Sequence, residues 1–180
     1  MTARLLKRGF TLVELLVVIA IIGVLAVVVL VAINPVQQLA RTRDSGRKSG
    51  VTQIGHAMEA YATTHNGTYV AESGTWVTSL VTAGELSVVP SLIAYSITGI
   101  SACTLPFAES GWCYDATTAA GGNPIIVFAR LESLSSISLC TGGPDAAWFV
   151  WSTADGRGGT VCTTLPAIPT VSAGGQTFVD

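Results

Sequence analysis

Charged residues are scarce in this chain: Asp, Glu, Lys and Arg make up 11% of its 180 residues, against about a quarter in ordinary soluble domains. One stretch has none at all. Leu15 to Ile33 runs for nineteen residues without a charge or a proline. As a helix it would be about 28 Å long, close to the hydrocarbon thickness of a bilayer. Histidine is nearly missing too, with only His56 and His65, and both are expected to be structural or surface residues. No C-x-x-C, H-E-x-x-H, G-x-S-x-G or phosphate-loop pattern occurs, which excludes the usual zinc, hydrolase and nucleotide signatures. No residue cluster supports an enzyme, and no cofactor is expected. Cations are almost absent from residues 51–180, where Arg130 and Arg157 face nine acids. Such a region has no electrostatic footprint for nucleic acid, and no sequence-specific nucleic-acid partner is expected.

The first fifty residues reverse that balance, with seven cations against two acids. Arg4, Lys7 and Arg8 precede the apolar run, and Arg41, Arg43, Arg47 and Lys48 follow it. Cations on both flanks leave the positive-inside rule without a clear answer. The later four are expected either to pair with acids on neighbouring heads or to form a solvated helix face. The run is too long for a secretory signal core, and "AINP" at its far end is a poor cleavage site. A plain membrane anchor is therefore the simplest reading of this run taken alone.

Four cysteines, Cys103, Cys113, Cys140 and Cys162, suit two disulfides in an oxidising compartment. The alternatives are free thiols or, least favoured, a metal site. Three pairings are possible, and the local one, Cys103–Cys113 with Cys140–Cys162, is expected. Disulfides in turn argue that the head faces away from the cytoplasm.

Pro35 removes a backbone donor and disfavours helical geometry at Asn34, so a kink or loosening is expected there. Beyond it Ile54, Ala57, Met58, Tyr61 and Ala62 fall at i, i+3, i+4, i+7 and i+8, the stripe of an amphipathic helix. Asn66-Gly67 ends the pattern with a left-handed cap; Thr68 completes a glycosylation sequon there, which capping explains better. The simplest expectation is one long helix from about 10 to 65, with Gly46, Gly50 and Gly55 weakening it. Residues 70–110 read as an irregular connection with a helical piece at "WVTSLVTAGEL". Strands are predicted over 125–131, 147–153 and 159–165, separated by Gly- and Pro-rich turns. They should form an antiparallel sheet with the helical stripe on one face. Trp148 and Trp151 have odd spacing, so they face opposite sides of a strand, and one of them is expected at the surface or at a subunit contact.

One acid interrupts the apolar beginning, Glu14, within "RGFTLVELLVVIAIIGVL". A carboxylate is costly in hydrocarbon. Its plain explanation is a position near the headgroups, paired with Lys7, Arg8 or lipid. The combination of a short basic leader, Gly9, then Phe10-Thr11-Leu12-Val13-Glu14-Leu15 and the uncharged span resembles the signal of type IV pilins and type II secretion pseudopilins. "ARTRDSGRKSGVTQIGHAMEAYATTHNGTY" is similar to the continuing helix of the same proteins. The likeness covers about residues 4–70; in the head only "STADGRGG" is loosely similar.

The resemblance implies an α+β, pilin-like fold. Its parts would be a cleaved leader over 1–9, a membrane and fibre-core helix over 10–33, an amphipathic continuation over 34–69 and a head over 70–180. A prepilin peptidase would cut after Gly9, Phe10 would become the N-methylated first residue, and Glu14 would pair with the N-terminus of a neighbouring copy. Gly23 and Ala26 would permit close helix approach in a fibre. The implied partners are copies of the same chain in a helical filament, the peptidase, an assembly platform with its ATPase, and membrane lipid before assembly. The implied location is a bacterial-type inner membrane, single-pass with an extracytoplasmic head, then a surface pilus or pseudopilus. The implied role is a structural pilus subunit, with a pseudopilin of a secretion or DNA-uptake machine as alternative. A membrane-tethered binding domain that never polymerises is the rival of another class. Asp155, in "TADGRGG", is a weak calcium candidate that lacks the alternating oxygen ligands of a calcium loop; no other metal site is expected.

Overall fold

The computed structural model describes residues 9–91, 93–104, 107–143 and 145–179. The cations Arg4, Lys7 and Arg8 lie outside the described residues. The chain divides into two compact units, one ending at Gln38 and one beginning at Leu39.

In the first unit, α1 spans Leu12–Ile33, 22 residues, and is long and apolar enough to cross a membrane. Every one of its side chains is exposed; nothing in this unit buries them. Instead of the kink expected at Pro35, the chain breaks. Asn34 takes a left-handed conformation, φ 47°, and Pro35 opens a new helix, α2, Pro35–Thr64. The physical reason is that Pro35 disfavours the helical conformation at Asn34 and donates no hydrogen bond itself. Asn34 tolerates the left-handed region better than most side chains. Its carbonyl then accepts from the N–H groups of Gln37 and Gln38 at 3.0 and 3.3 Å, starting α2. One continuous helix over 10–65 is thus two helices.

In the second unit the buried positions of α2 are Ala40, Asp44, Arg47, Val51, Ile54, Gly55, Ala57, Met58 and Ala62. The predicted stripe is there, with Tyr61 at its half-buried margin, but it extends back by four turns. It does so through two charged residues, which is why apolar periodicity alone stopped at Ile54. The end of α2 follows expectation: Asn66 and Gly67 have φ of 56° and 79°, and the Gly67 N–H reaches the Ala62 carbonyl at 2.9 Å.

After α2 come α3 (Trp76–Thr82), β1 (Cys113–Ala116), β2 (Ile125–Arg130), α4 (Leu134–Ile137), β3 (Ala146–Ser152) and β4 (Arg157–Thr163). The four strands form an antiparallel sheet in sequence order, which gives the α+β layout with a long apolar N-terminal helix. β1 was not predicted. It is a four-residue edge strand carrying Asp115, too short and too polar to alternate visibly.

Both faces of the sheet are covered. On one, Ile125, Val127, Ala129 and Trp151 pack with Val51, Ile54 and Met58 of α2 and Trp76 and Leu80 of α3. On the other, Ile126, Phe128, Trp148, Val150 and Val161 are covered by Cys103 and by Ile168, Val171 and Phe178 of the C-terminal segment. Trp148 and Trp151 do face opposite ways, but both are buried, so neither is left for a surface contact. The C-terminal segment shields Trp148, whose indole N–H donates to Thr163 Oγ1 at 2.9 Å.

Two of the glycines expected only to weaken α2 serve the packing. A Cβ on Gly50 would lie 2.5 Å from the Trp112 ring, and one on Gly55 would lie 2.3 Å from Trp151 Cγ. The missing side chains let two indoles lie against the helix backbone.

Carboxylates hold the loops. Glu72 accepts from the Ala116 N–H at 2.7 Å, Asp115 from Val171 at 2.7 Å, Asp145 from Leu165 at 2.8 Å and Asp155 from Gln176 at 2.8 Å. Glu109 caps α3 through the N–H groups of Val77 and Thr78. Each bond joins segments distant in sequence, and each satisfies a backbone donor that lacks a helix or strand partner.

Candidate processing and assembly segment

Gly9 and Phe10 lie outside any helix or strand and are exposed, Phe10 at 86%. Thr11 caps α1. Its hydroxyl accepts from the Glu14 N–H at 3.2 Å, and Glu14 reaches back to accept from the Thr11 N–H at 2.9 Å. This reciprocal pair satisfies donors that the first helical turn leaves free. The Thr11 hydroxyl also lies 2.9 Å from the same carboxylate oxygen, Oε2. Among the described residues Oε1 makes no hydrogen bond. Glu14 thus has a use within its own chain that the sequence reading did not include: it starts the helix. One oxygen is held there and the other is open to a donor from outside.

The basic cluster is differently disposed than expected. Arg43 and Arg47 turn into their own head, Arg47 buried and Arg43 partly exposed. Glu132, at the end of the segment after β2, accepts from both; Arg47 is 3.0 Å from Glu132 Oε1 and 2.9 Å from Asp44 Oδ1. Arg47, Asp44 and Glu132 are all buried, and Arg43 is partly so. Asp44 also accepts from the N–H groups of Glu132 and Ser133, each at 2.9 Å. Glu132 Oε2 accepts from Ser96 at 2.9 Å and Ile97 at 3.2 Å. Arg47 further donates to the Ile93 and Ala94 carbonyls and lies 3.7 Å over the Tyr95 ring. Three segments, α2, residues 93–97 and residues 132–136, are thereby tied at one point.

Burial alone would raise the Glu132 carboxyl, but the bonds from Arg43, the Ser96 amide and Arg47 outweigh it and hold it at about 2. Burial pushes the Tyr95 phenol up to about 12, with the Arg47 charge opposing; its hydroxyl donates to the Arg130 carbonyl at 2.8 Å. Glu132 was not singled out from sequence. Asp44 and Arg47, spaced i and i+3 on the face that continues the apolar stripe, were the available signal.

Arg41 is exposed and Lys48 half-buried. They remain on the surface, beside a cleft of about 210 Å³ that Ser45 and Ser135 also line. Cys103 is bonded to Cys113 and Cys140 to Cys162. Asp155 sits in the turn between β3 and β4, where its carboxylate holds the C-terminal segment at Gln176. Among the described residues no group of three or more potential metal ligands occurs. His56 is exposed and lies 4.4 Å from the Trp151 ring, and His65 stacks on Tyr61 at 3.7 Å.

Residues 4–30 match the prokaryotic N-terminal methylation motif, which is typical of type IV pilins and pseudopilins. No curated protein and no solved structure matches the chain. The match takes in Gly9, Phe10, Glu14 and most of α1, and the α+β head lies outside it.

Proposed function

We propose that the chain is a non-enzymatic structural subunit of a type IV pilus-like surface filament. The observation that carries this reading is the methylation motif over residues 4–30, lying on a helix whose apolar side chains have no partner in their own unit. A helix apolar all round is stable in lipid or among other such helices. In the proposed cycle α1 first holds the precursor in a membrane, with the disulfide-bonded head on the oxidising side. A prepilin peptidase removes residues 1–9, and the exposed Gly9 offers it a backbone with no side chain in the way. Phe10 becomes the methylated N-terminus. Residues 10–33 then pass from lipid into the dry centre of a fibre, α2 follows the break at Asn34 as the amphipathic helix, and residues 70–180 form the displayed head. An assembly platform with its ATPase drives the transfer.

Glu14 gives the step its register. A carboxylate among packed apolar helices is tolerated only with a cation, and the ammonium of a neighbour's Phe10 supplies one. The unengaged Oε1 is the oxygen to receive it while Oε2 keeps the helix cap. A misplaced neighbour leaves the charge unpaired, so wrong registers are rejected.

The test is intact mass and N-terminal peptide analysis of the protein from its native membrane or from shed fibres. A chain starting at Phe10 and one methyl group heavier than its residues is the expected result. A chain in fibres still starting at Met1 or Thr2 would refute the processing pathway.

A further inference from the structure

Most charged side chains of the second unit are occupied within it. Asp44, Glu72, Glu109, Asp115, Glu132, Asp145 and Asp155 hold backbone N–H groups. Glu59 accepts from the Trp151 indole, and Arg43 and Arg47 are tied to Glu132. Arg130 packs over Trp148 and Arg157 over Phe178. Among the described acids Glu85 is the exception: it is half-exposed, follows α3, and its carboxylate makes no hydrogen bond or ion pair. Two cations match it. Among the described residues Arg41 has no carboxylate partner and the Lys48 ammonium has the Phe149 ring, 5.8 Å away. They are seven residues apart on one face of α2, with Ser45 between them, along the cleft of about 210 Å³.

We propose that the Arg41–Lys48 cleft of one copy receives the Glu85 carboxylate of a second copy. This inference rests on the filament reading above. The cleft has room for a carboxylate, and its cations and the hydroxyls of Ser45 and Ser135 are suitable donors; Asp44 also lines it, but its carboxylate is already held by Arg47 and by the N–H groups of Glu132 and Ser133. Its two parts are different patches of the same chain. A contact between unlike patches is heterologous: each copy presents a free cleft at one place and a free acid at another, so addition need not stop at two copies and continues as an open helix wherever the rotation between copies does not close a ring. That is the symmetry a fibre requires, whereas a self-complementary patch would stop at a dimer. Arg43 and Arg47 are held on Glu132 and do not line the cleft, so they do not compete for the incoming acid.

The experiment uses the full chain in its native assembly system. Glu85→Lys and the double variant Arg41→Glu/Lys48→Glu should each lower filament yield about tenfold at unchanged precursor level, because like charges then face each other. The triple variant combining them should restore most of it. Filaments grown from mixed isotope-labelled and unlabelled chains, treated with a zero-length carbodiimide, should yield a mixed-label peptide in which Lys48 and Glu85 are joined by an amide. Wild-type yield from both reversals, or cross-linked filaments without that peptide, overturns this contact and leaves the filament reading intact. Wild-type chain that is cleaved but forms no fibre overturns the filament reading, and this contact with it.

Discussion

Glu132 is the residue whose loss should damage the head most. Its side chain is fully buried and accepts from Arg43, Arg47 and the N–H groups of Ser96 and Ile97. Glu132→Ala removes all four bonds and leaves Arg47 buried with only Asp44 and two carbonyls. Breaking a buried pair from one side costs about 3–5 kcal/mol. Glu132→Gln keeps an acceptor but loses the charge, so about half that cost is expected. A separate signature lies in pH. The carboxyl is held at about 2 in the folded chain against an ordinary value of 4.5, so folding favours its ionised form. The stabilisation is fully present above pH 5 and drains away as pH falls from about 4.5 through about 2. Each pH unit between the two values is worth about 1.4 kcal/mol, giving about 3 kcal/mol in all. The assay is urea unfolding of the detergent-solubilised, disulfide-intact chain at pH 7 and pH 3, for wild type and both variants. Wild type should lose more stability than Glu132→Gln on acidification, by about 2 kcal/mol at pH 3. Parallel losses in the two proteins, or a Glu132→Ala midpoint equal to wild type at pH 7, would refute the account.

Four other outcomes follow from the same reasoning. Gly55→Ala gains about 1 kcal/mol of helix propensity but drives a methyl against Trp151; a net loss of about 1–2 kcal/mol is expected on unfolding, and a stabilised variant would show that the indole moves aside. Glu14→Ala should be cleaved after Gly9 at near wild-type extent yet enter fibres about tenfold less, measured by precursor-to-mature ratio and by sheared-fibre yield; normal fibres would remove Glu14 from register control. Chelating calcium should leave the unfolding temperature unchanged, since Asp155 is engaged by Gln176. Asp155→Ala, in contrast, should speed proteolysis of the C-terminal segment and cost about 1 kcal/mol.

What was legible in the sequence was whatever depended on local pattern. The apolar run of α1, the stripe from Ile54 to Ala62, the Asn66-Gly67 cap and the three longer strands each carry a period or a turn residue that neighbours in sequence suffice to define. The methylation motif over residues 4–30 was legible too, through the joint spacing of Gly9, Phe10 and Glu14. The features that were missed depend on distant segments. Asp44 and Arg47 lie on a buried face, but only the approach of residues 93–97 and 132–136 gives them partners. Gly50 and Gly55 looked like weak points of a helix because the indoles that need the space are about 60 and 100 residues away. Odd spacing puts one of Trp148 and Trp151 on a face away from the helix, and the segment that covers Trp148 there has no strand or helix pattern of its own. The break at Asn34 was half read: proline marked the place, but a kink and a full stop differ by one residue's φ.

The carboxylates that hold the head's loops change how its acidity should be understood. Seven acids of this unit are fixed on backbone amides, so much of its net negative charge is a by-product of closing an irregular chain. Redesign that neutralises it for purification or display would then release loops rather than merely alter solubility. Amide replacements would keep an acceptor but weaken a charge-assisted bond to a neutral one. Only Asp44 and Glu132 of the seven are buried; Asp145 and Asp155 keep exposed faces while they hold their amides. Its isoelectric point, about 5.6 for the whole chain, says more about how its loops are fastened than about what it attracts.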